Sequence, residues 1–470
     1  MLEGLEVSVV SFKELNIFNE RFRIDAEFLK KEYFQLEQQI CKRNYKRLHE
    51  VDYDLIHPAE IQREFVEHGQ WFFRTQNIRP LKIESSNDVY ISEEDAKRLK
   101  KNVINKYDIV ITRTGANYGQ TAIYNIDKKA LGSSHTFILR NKHFNQFYLA
   151  TFLNTKFGRK LINKGMYGGS QPEIAPYYIA NIPIPDLSIE FQNKIEGVFK
   201  NSEYKIAQSK TLYTKAENIL LQELGLGNWQ PIIKNNNTKT LKESFLSSGR
   251  IDAEYYQPKY DEIESILKSK SHAQIKQLKT FNSRGLQPIY DADGTLDIIN
   301  SKHILDKNLD YGNFEKTNIE NWDLQERARV YKNDILTYTT GANIGRTQTY
   351  LIDNPALASN HVNILRVKGV NPVYVGFVIN SIIGRLQTEK YSAGSAQLEL
   401  YPKDLDEFII PILKDGTQKK MADKIQQSFA LEAQSKLFLE LAKKTVEIAI
   451  EENEKKAINF LNHQTLNING

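Results

Sequence analysis

The sequence predicts an α+β protein made by tandem duplication: a domain of mixed sheet and helix followed by one long helix, then the same pair again. The two long helices are expected to pack on each other as a coiled coil. Three observations predict this. A set of motifs recurs once, 226 or 227 residues downstream; each copy ends on a proline-bearing apolar segment; and each such segment is followed by a long run free of proline.

The repeat is direct. Arg23-Ile24-Asp25-Ala26-Glu27-Phe28 returns as Arg250-Ile251-Asp252-Ala253-Glu254-Tyr255, 227 residues on. Asp108-Ile109 returns as Asp334-Ile335, and Thr114-Gly115-Ala116-Asn117-Tyr118-Gly119 as Thr340-Gly341-Ala342-Asn343-Ile344-Gly345, both 226 residues on. The same offset joins His135 to His361, Arg140 to Arg366, Gly158-Arg159 to Gly384-Arg385, Pro185 to Pro411 and Gln192 to Gln418. A period this long, in a chain of 470 residues, describes two domain-sized units with separate cores rather than a solenoid. The expected boundaries are a domain over 1–186, a helix over 187–228, a linker over 229–247 containing Asn235-Asn236-Asn237, a domain over 248–413, a helix over 414–460 and a tail over 461–470.

Within the first copy, Trp71-Phe72-Phe73-Arg74 and Asp108-Ile109-Val110-Ile111-Thr112 read as strands, the second rich in β-branched residues. Phe147 to Lys160 reads as a short amphipathic helix with Phe147, Leu149, Phe152 and Leu153 on its apolar face. Ile182-Pro183-Ile184-Pro185 cannot be helix interior, because each proline lacks a backbone donor. From Glu190 to Leu224 there is no proline and one glycine, Gly197; from Gln418 to Ala457 there is neither. In the second run Ile425, Phe429, Ala433, Leu437 and Leu441 recur every four residues, with Ile448 on about the same face. That spacing predicts an apolar stripe along a helix of roughly 50–60 Å. Packing on the equivalent helix of the other copy is the economical way to bury it.

Composition narrows the function. Hydrophobic residues make up 40% and charged residues 26%, values of a folded globular chain. One cysteine, Cys41, excludes a disulfide framework and a thiolate zinc cluster, and suits a reducing compartment. The opening Met-Leu-Glu-Gly-Leu-Glu has no basic segment, and no apolar run approaches the roughly 18–20 residues of a membrane span. A cytoplasmic location and no membrane partner are therefore expected. A net charge of +5 permits a polyanionic partner without requiring one.

Enzyme signatures are missing from the sequence. It has no GxxxxGK phosphate loop, no GxGxxG after a strand, no HExxH and no CxxC. Neither Asn354-Pro355-Ala356 nor Asn371-Pro372-Val373 supplies the Pro–Pro–aromatic segment with which an amino-methyltransferase holds its target amine. Pro185-Asp186 with Glu203-Tyr204-Lys205 imitates a nuclease metal site, but Glu203 and Lys205 fall in a predicted helix, and the second copy has Pro411-Ile412. No catalytic residue, metal site or cofactor is expected on this chain. His135 and His361, each behind small polar residues, read either as core histidines satisfied by hydrogen bonds, the preferred reading, or as base or phosphate contacts.

What remains is polar loops. Thr112 to Gln120 and Tyr338 to Arg346 are glycine-bearing loops at strand ends, offering Arg113, Thr114, Asn117, Tyr118 and Gln120 in one copy and Thr339, Thr340, Asn343 and Arg346 in the other. Arg74-Thr75-Gln76-Asn77 aligns with Asn300-Ser301-Lys302-His303, putting Arg74, Thr75, Asn77, Asn300 and Lys302 among the candidates. Tyr167-Gly168-Gly169-Ser170-Gln171 corresponds to Ala393-Gly394-Ser395-Ala396-Gln397 after a one-residue slip, adding Ser170, Gln171, Ser395 and Gln397. Arg suits guanine O6 and N7, and Asn or Gln suits adenine N6 and N7, so these side chains fit base edges and phosphates. Turn residues repeat while donors and acceptors change: Arg113 to Thr339, Tyr118 to Ile344, Gln120 to Arg346, Arg74 to Asn300. Two domains of one architecture reading two different short sequences would look like this.

The pattern resembles the DNA specificity subunit of type I restriction–modification systems. The residues carrying the resemblance are Arg-Ile-Asp-Ala-Glu at 23–27 and 250–254, Asp-Ile followed by Thr-Gly-Ala at 108–116 and 334–342, the proline–apolar–proline boundary at 183–185, and Gln192 to Ile195. It implies two target recognition domains joined by two antiparallel spacer helices, and double-stranded DNA read as an asymmetric bipartite site. It also implies two methyltransferase subunits and, for cleavage, motor–nuclease subunits as partners. S-adenosylmethionine, ATP and Mg would sit on those partners. The second copy departs at Glu407-Phe408-Ile409-Ile410-Pro411, which has one proline instead of two. A related multi-subunit type II specificity subunit, a self-contained DNA-modifying enzyme and a pure scaffold are the competing readings.

Overall fold

The computed structural model describes residues 9–12, 23–85, 88–232, 234, 236–394 and 397–469, so the opening hexapeptide and Asn235 of the expected linker lie outside the described residues. The chain divides into two compact units, Met1–Ile206 with Ala433–Gly470, and Ala207–Glu432. The division runs through both long helices, Ile189–Leu224 and Asp415–Glu451, so each unit holds part of each. Among the described residues no helix is long and apolar enough to cross a membrane.

In the first unit a four-stranded antiparallel sheet runs in the order Thr121–Ile123, Ile109–Thr112, Thr136–Asn141, Tyr53–Ile56. Ile109–Thr112 is an interior strand buried throughout, which is why its apolar run does not alternate. Asp108 stays outside the strand: its carboxylate accepts the Asn105 N–H at 2.7 Å and a fork of two bonds from Arg140 at 2.9 and 2.8 Å. A second sheet runs Phe65–Val66, Val89–Ile91, Gln70–Phe73, Ala130–Gly132, Val103–Ile104, with Gln70–Phe73 and Ala130–Gly132 parallel.

The single helix expected over Phe147 to Lys160 is two helices, Gln146–Asn154 and Lys156–Lys164. Thr155 is extended between them, and its Oγ1 accepts the Gly158 N–H at 3.2 Å as an N-cap. Residues Phe147 to Asn154 are all buried, so the first of these helices is a core helix and not an amphipathic one.

In the second unit the four-stranded antiparallel sheet runs Lys279–Arg284, Val362–Val367, Ile335–Tyr338, Thr347–Thr349. The other sheet runs Glu315–Thr317, Leu296–Ile299, Ala356–Ala358, Arg329–Val330, with Leu296–Ile299 and Ala356–Ala358 parallel. Asp334 repeats the arrangement of Asp108, accepting a fork from Arg366 at 2.8 and 3.0 Å. Helices Pro372–Asn380 and Ile382–Tyr391 flank an extended Ser381.

The long helices pack antiparallel within each unit. In the first, the Ser202 hydroxyl donates to the Ser435 carbonyl at 2.9 Å; in the second, the Ser428 hydroxyl donates to the Ser209 carbonyl at 2.9 Å. The buried and half-buried seam is Ile195, Phe199, Ser202, Ile206 and then Ser209, Tyr213, Ala216, Leu220 on one helix. On the other it is Met421, Ile425, Ser428, Glu432 and then Ser435, Leu439, Ala442, Val446. These steps alternate four and three, the 3.5-residue period that holds a seam on one side of a pair.

The expected four-residue stripe holds only in part: Ile425 and Leu441 are buried and Phe429 and Ile448 half-buried, but the two residues at its middle are not. Each four-residue step drifts about 40° around the helix. By Ala433 and Leu437 the stripe has left the seam, so both are exposed while Phe438 is buried. The second helix ends at Glu451 and not near residue 460; the Asn453 side chain accepts the Lys456 N–H at 2.9 Å and starts a further helix, Glu454–Asn469. Its Ala457 and Leu461 are buried in the first unit's core, so the expected tail over 461–470 continues this helix, packed through Leu461 and Ile468.

Candidate nucleic-acid interface

In the first unit three segments converge at the end of the antiparallel sheet. The Ser133 N–H bonds the Phe73 carbonyl at 2.9 Å, joining the end of Ala130–Gly132 to the start of the Arg74–Asn77 turn. Ser134 and His135 then reach the loop after Ile109–Thr112: Arg113 donates to the Ser134 carbonyl at 3.0 Å, and Thr114 Oγ1 lies 2.7 Å from His135 Nδ1. The third segment is the hairpin Met166–Tyr167 to Glu173–Ile174. It is tied to the loop by Gly115 N–H to the Pro172 carbonyl, 3.0 Å, by Ile174 N–H to the Arg113 carbonyl, 3.1 Å, and by an Arg113–Glu173 ion pair. Burial raises the Glu173 pKa, but hydrogen bonds from Arg113 and Tyr167 outweigh it and hold the carboxyl below its usual range.

The second unit assembles the matching segments. The Ser359 N–H bonds the Ile299 carbonyl at 3.0 Å, Thr339 N–H the His361 carbonyl at 3.1 Å, and Gly341 N–H the Leu398 carbonyl at 3.0 Å. Gly168 and Gly394 both have positive φ, and a Cβ on either would press on the carbonyl of Gln171 or Gln397. These hairpins therefore match at 226 residues without the slip expected from the sequence; only the serine moved. Ser395 lies outside the described residues.

The candidate residues divide by exposure. Asn117, Ser170, Gln171, Lys302, Asn343 and Gln397 are exposed, and Arg74, Thr75, Tyr118, Gln120, Asn300 and Arg346 are half-buried. Among the described residues Arg346 makes no side-chain hydrogen bond or ion pair, whereas Lys302 pairs with Glu315. Four candidates are framework. Asn77 is 2% exposed, its Oδ1 accepting the Arg74 N–H at 2.9 Å and its amide donating to the Glu84 carbonyl at 2.8 Å. Thr339 is fully buried and donates to the His361 carbonyl at 3.0 Å; Thr340 and Thr114 are buried as well. Their short side chains stop inside the loop, so the structure takes them off the exposed face.

His303, the counterpart of Asn77, accepts the Asn300 N–H on Nδ1 at 2.9 Å and so does the same work with a different side chain. His135 and His361 are exposed, so neither is a core histidine; the backbone of each serves the framework, and the His135 ring also meets Thr114 Oγ1 through Nδ1. Glu173 and Glu399 stand 226 residues apart and were legible as an identity. Glu203, of the nuclease-like pattern, sits on the long helix and accepts from Asn125 at 2.5 Å.

This architecture defines a two-unit protein that presents two related, non-identical polar loop clusters. Residues 259–441, within the second copy and its long helix, match the family model described as type I restriction modification DNA specificity domain, the family that the repeat motifs resemble. No curated protein matches the sequence. Among solved structures, the type I restriction–modification S subunit from M. genitalium is 12% identical, with 87% of this chain and 95% of that chain covered, at a TM-score of 0.41. The HsdS subunit from Thermoanaerobacter tengcongensis is 13% identical, covering 87% and 97%, at 0.27. The type IIG restriction endonuclease BpuSI is 12% identical, covering 37% and 28%, at 0.28.

Proposed function

We propose that this chain is the DNA-reading subunit of a restriction–modification complex, each loop cluster reading one half of an asymmetric bipartite site in double-stranded DNA. The observation that carries the proposal is the contrast inside the clusters. The backbone ties repeat, and with them the exposed Asn117/Asn343 and Gln171/Gln397, while half-exposed side chains beside them change: Gln120 to Arg346, Arg74 to Asn300, Tyr118 to Ile344. A constant frame with variable donors and acceptors is what two readings of different bases require. The long helices act as spacer and docking surface for two methyltransferase subunits and for motor–nuclease subunits. S-adenosylmethionine, ATP and Mg belong to those partners.

The test is to supply the chain with a methyltransferase partner and map modified bases across a genome. Two short unlike sequences with an unread gap between them are expected. A single contiguous site, or methylation or cutting by this chain alone, would overturn the proposal.

A further inference from the structure

The carboxylate that holds the hairpin is the same in both units, but the arginine that meets it is not. In the first unit Glu173 pairs with Arg113, from the end of Ile109–Thr112, while His57, just past Tyr53–Ile56, lies with Nε2 2.7 Å from the same guanidinium. In the second unit Glu399 pairs at 3.6 Å with Arg284, the last residue of Lys279–Arg284. By strand register, Ile56 faces Ile138 and Ser283 faces Ile364, so Arg284 occupies the place of His57. Thr339 occupies the place of Arg113. The guanidinium has changed strands and reached the same target. Arg284 also donates to the Leu400 carbonyl at 3.0 Å and stacks 4.7 Å above the Tyr401 ring, as Arg113 donates to the Ser134 carbonyl.

We infer that Arg113–Glu173 and Arg284–Glu399 are equivalent clamps that set the hairpin against the sheet, and that Arg113 and Arg284 are positioning residues rather than base readers. A residue reading a base is bound to its own strand position, because its reach to the base edge depends on it. A residue whose task is to meet a carboxylate can be supplied from either of the two strands that flank the central one, Thr136–Asn141 or Val362–Val367. Side-chain exposure of 18% for Arg113 and 21% for Arg284 agrees, since both guanidinium groups are turned inward to the carboxylate. The inference rests on the proposed DNA reading only for its consequence: the hairpin carries Ser170 and Gln171 in one copy and Gln397 in the other, so the clamp places them.

The test transplants one solution into the other unit. In the full chain, Arg113→Thr should increase amide exchange across residues 166–174, and adding His57→Arg should restore protection; Arg284→His and Thr339→Arg form the mirror pair for the second hairpin. With the methyltransferase partner present, Arg113→Thr should blunt discrimination at the first half-site by about tenfold, with the second half-site unaffected, and His57→Arg should recover it. Unchanged exchange in Arg113→Thr overturns the clamp whatever the protein does with DNA. Restored protection without restored discrimination makes Arg113 a reader and overturns its assignment as a positioning residue. If exchange follows the clamp but the parent protein discriminates no sequences, the clamp stands and the DNA reading falls.

Discussion

Replacing Gly119 by alanine separates two costs that the repeated loop combines. Gly119 has φ +71°, and an added Cβ would lie 2.3 Å from Ile162 Cγ2 and 2.7 Å from Arg159 Nη1. Ile162 is buried at 1% exposure and cannot yield as a surface side chain would. The left-handed backbone costs about 1–2 kcal/mol for a residue with a Cβ. Overpacking a filled core adds about 1–3 kcal/mol, giving about 2–5 kcal/mol in all. Gly115, four residues earlier with φ +94°, meets nothing within 4 Å, so Gly115→Ala carries only the backbone part. Native-state hydrogen exchange of peptides across 109–123 measures both in the intact chain, without requiring the two units to unfold together. The expected result is a local stability loss that is larger for Gly119→Ala by about 1–3 kcal/mol. Equal losses would mean that Ile162 gives way, and that the packing of the loop on Lys156–Lys164 is not what requires a glycine there.

Four further outcomes follow from the structure. Burial, helped by the Lys302 charge and opposed by Glu315 and Asp310, holds the His303 pKa below its ordinary value; the unfolded chain therefore takes up the proton first as pH falls through about 6.5, and the second unit loses stability from there downward. His303→Asn, which installs the Asn77 solution, should flatten that slope in unfolding midpoints measured from pH 8 to 5. Arg346→Ala should weaken DNA binding by about 1–3 kcal/mol and relax preference at one position of the second half-site; an even loss across sequences with a shallower salt slope would make it a phosphate contact. Inserting seven residues into each long helix, between Ser202 and Ser209 and between Ser428 and Ser435, keeps the 3.5-residue seam and adds about 10.5 Å, so mapped sites should keep both half-sequences and widen the gap by about three base pairs. Four residues inserted in one helix alone should break the seam and lower expression of folded protein.

The repeat made the fold legible because several of its identities fall on ties that hold the frame. Asp108 with Arg140 and Asp334 with Arg366 make the same forked pair. Gln192 and Gln418 each accept the N–H of the residue capping a core helix, Asn145 or Asn371, at 2.9 and 3.1 Å. Asp25 and Asp252 each accept a fork from the arginine two residues before. Identity at a fixed offset found these pairs because both members moved together. The candidate site was less legible, since a side chain's direction is not written in its spacing. Asn77 and Asn117 are the same residue type in equally polar loops, yet one closes its own turn and the other is exposed.

The clamp shows the sharper limit. Comparing copies assigns what repeats to the frame and what differs to function, and on that rule Arg113, replaced by Thr339, belongs to the reading surface. The rule fails when a contact is kept while one of its partners changes strand, for then a framework residue differs at its own position and reappears at another. Glu173 and Glu399 were the visible half of that exchange. A charge conserved between copies with no conserved partner at the same offset is thus a reason to look across the sheet for the opposite charge, before the residue that vanished is assigned to a ligand.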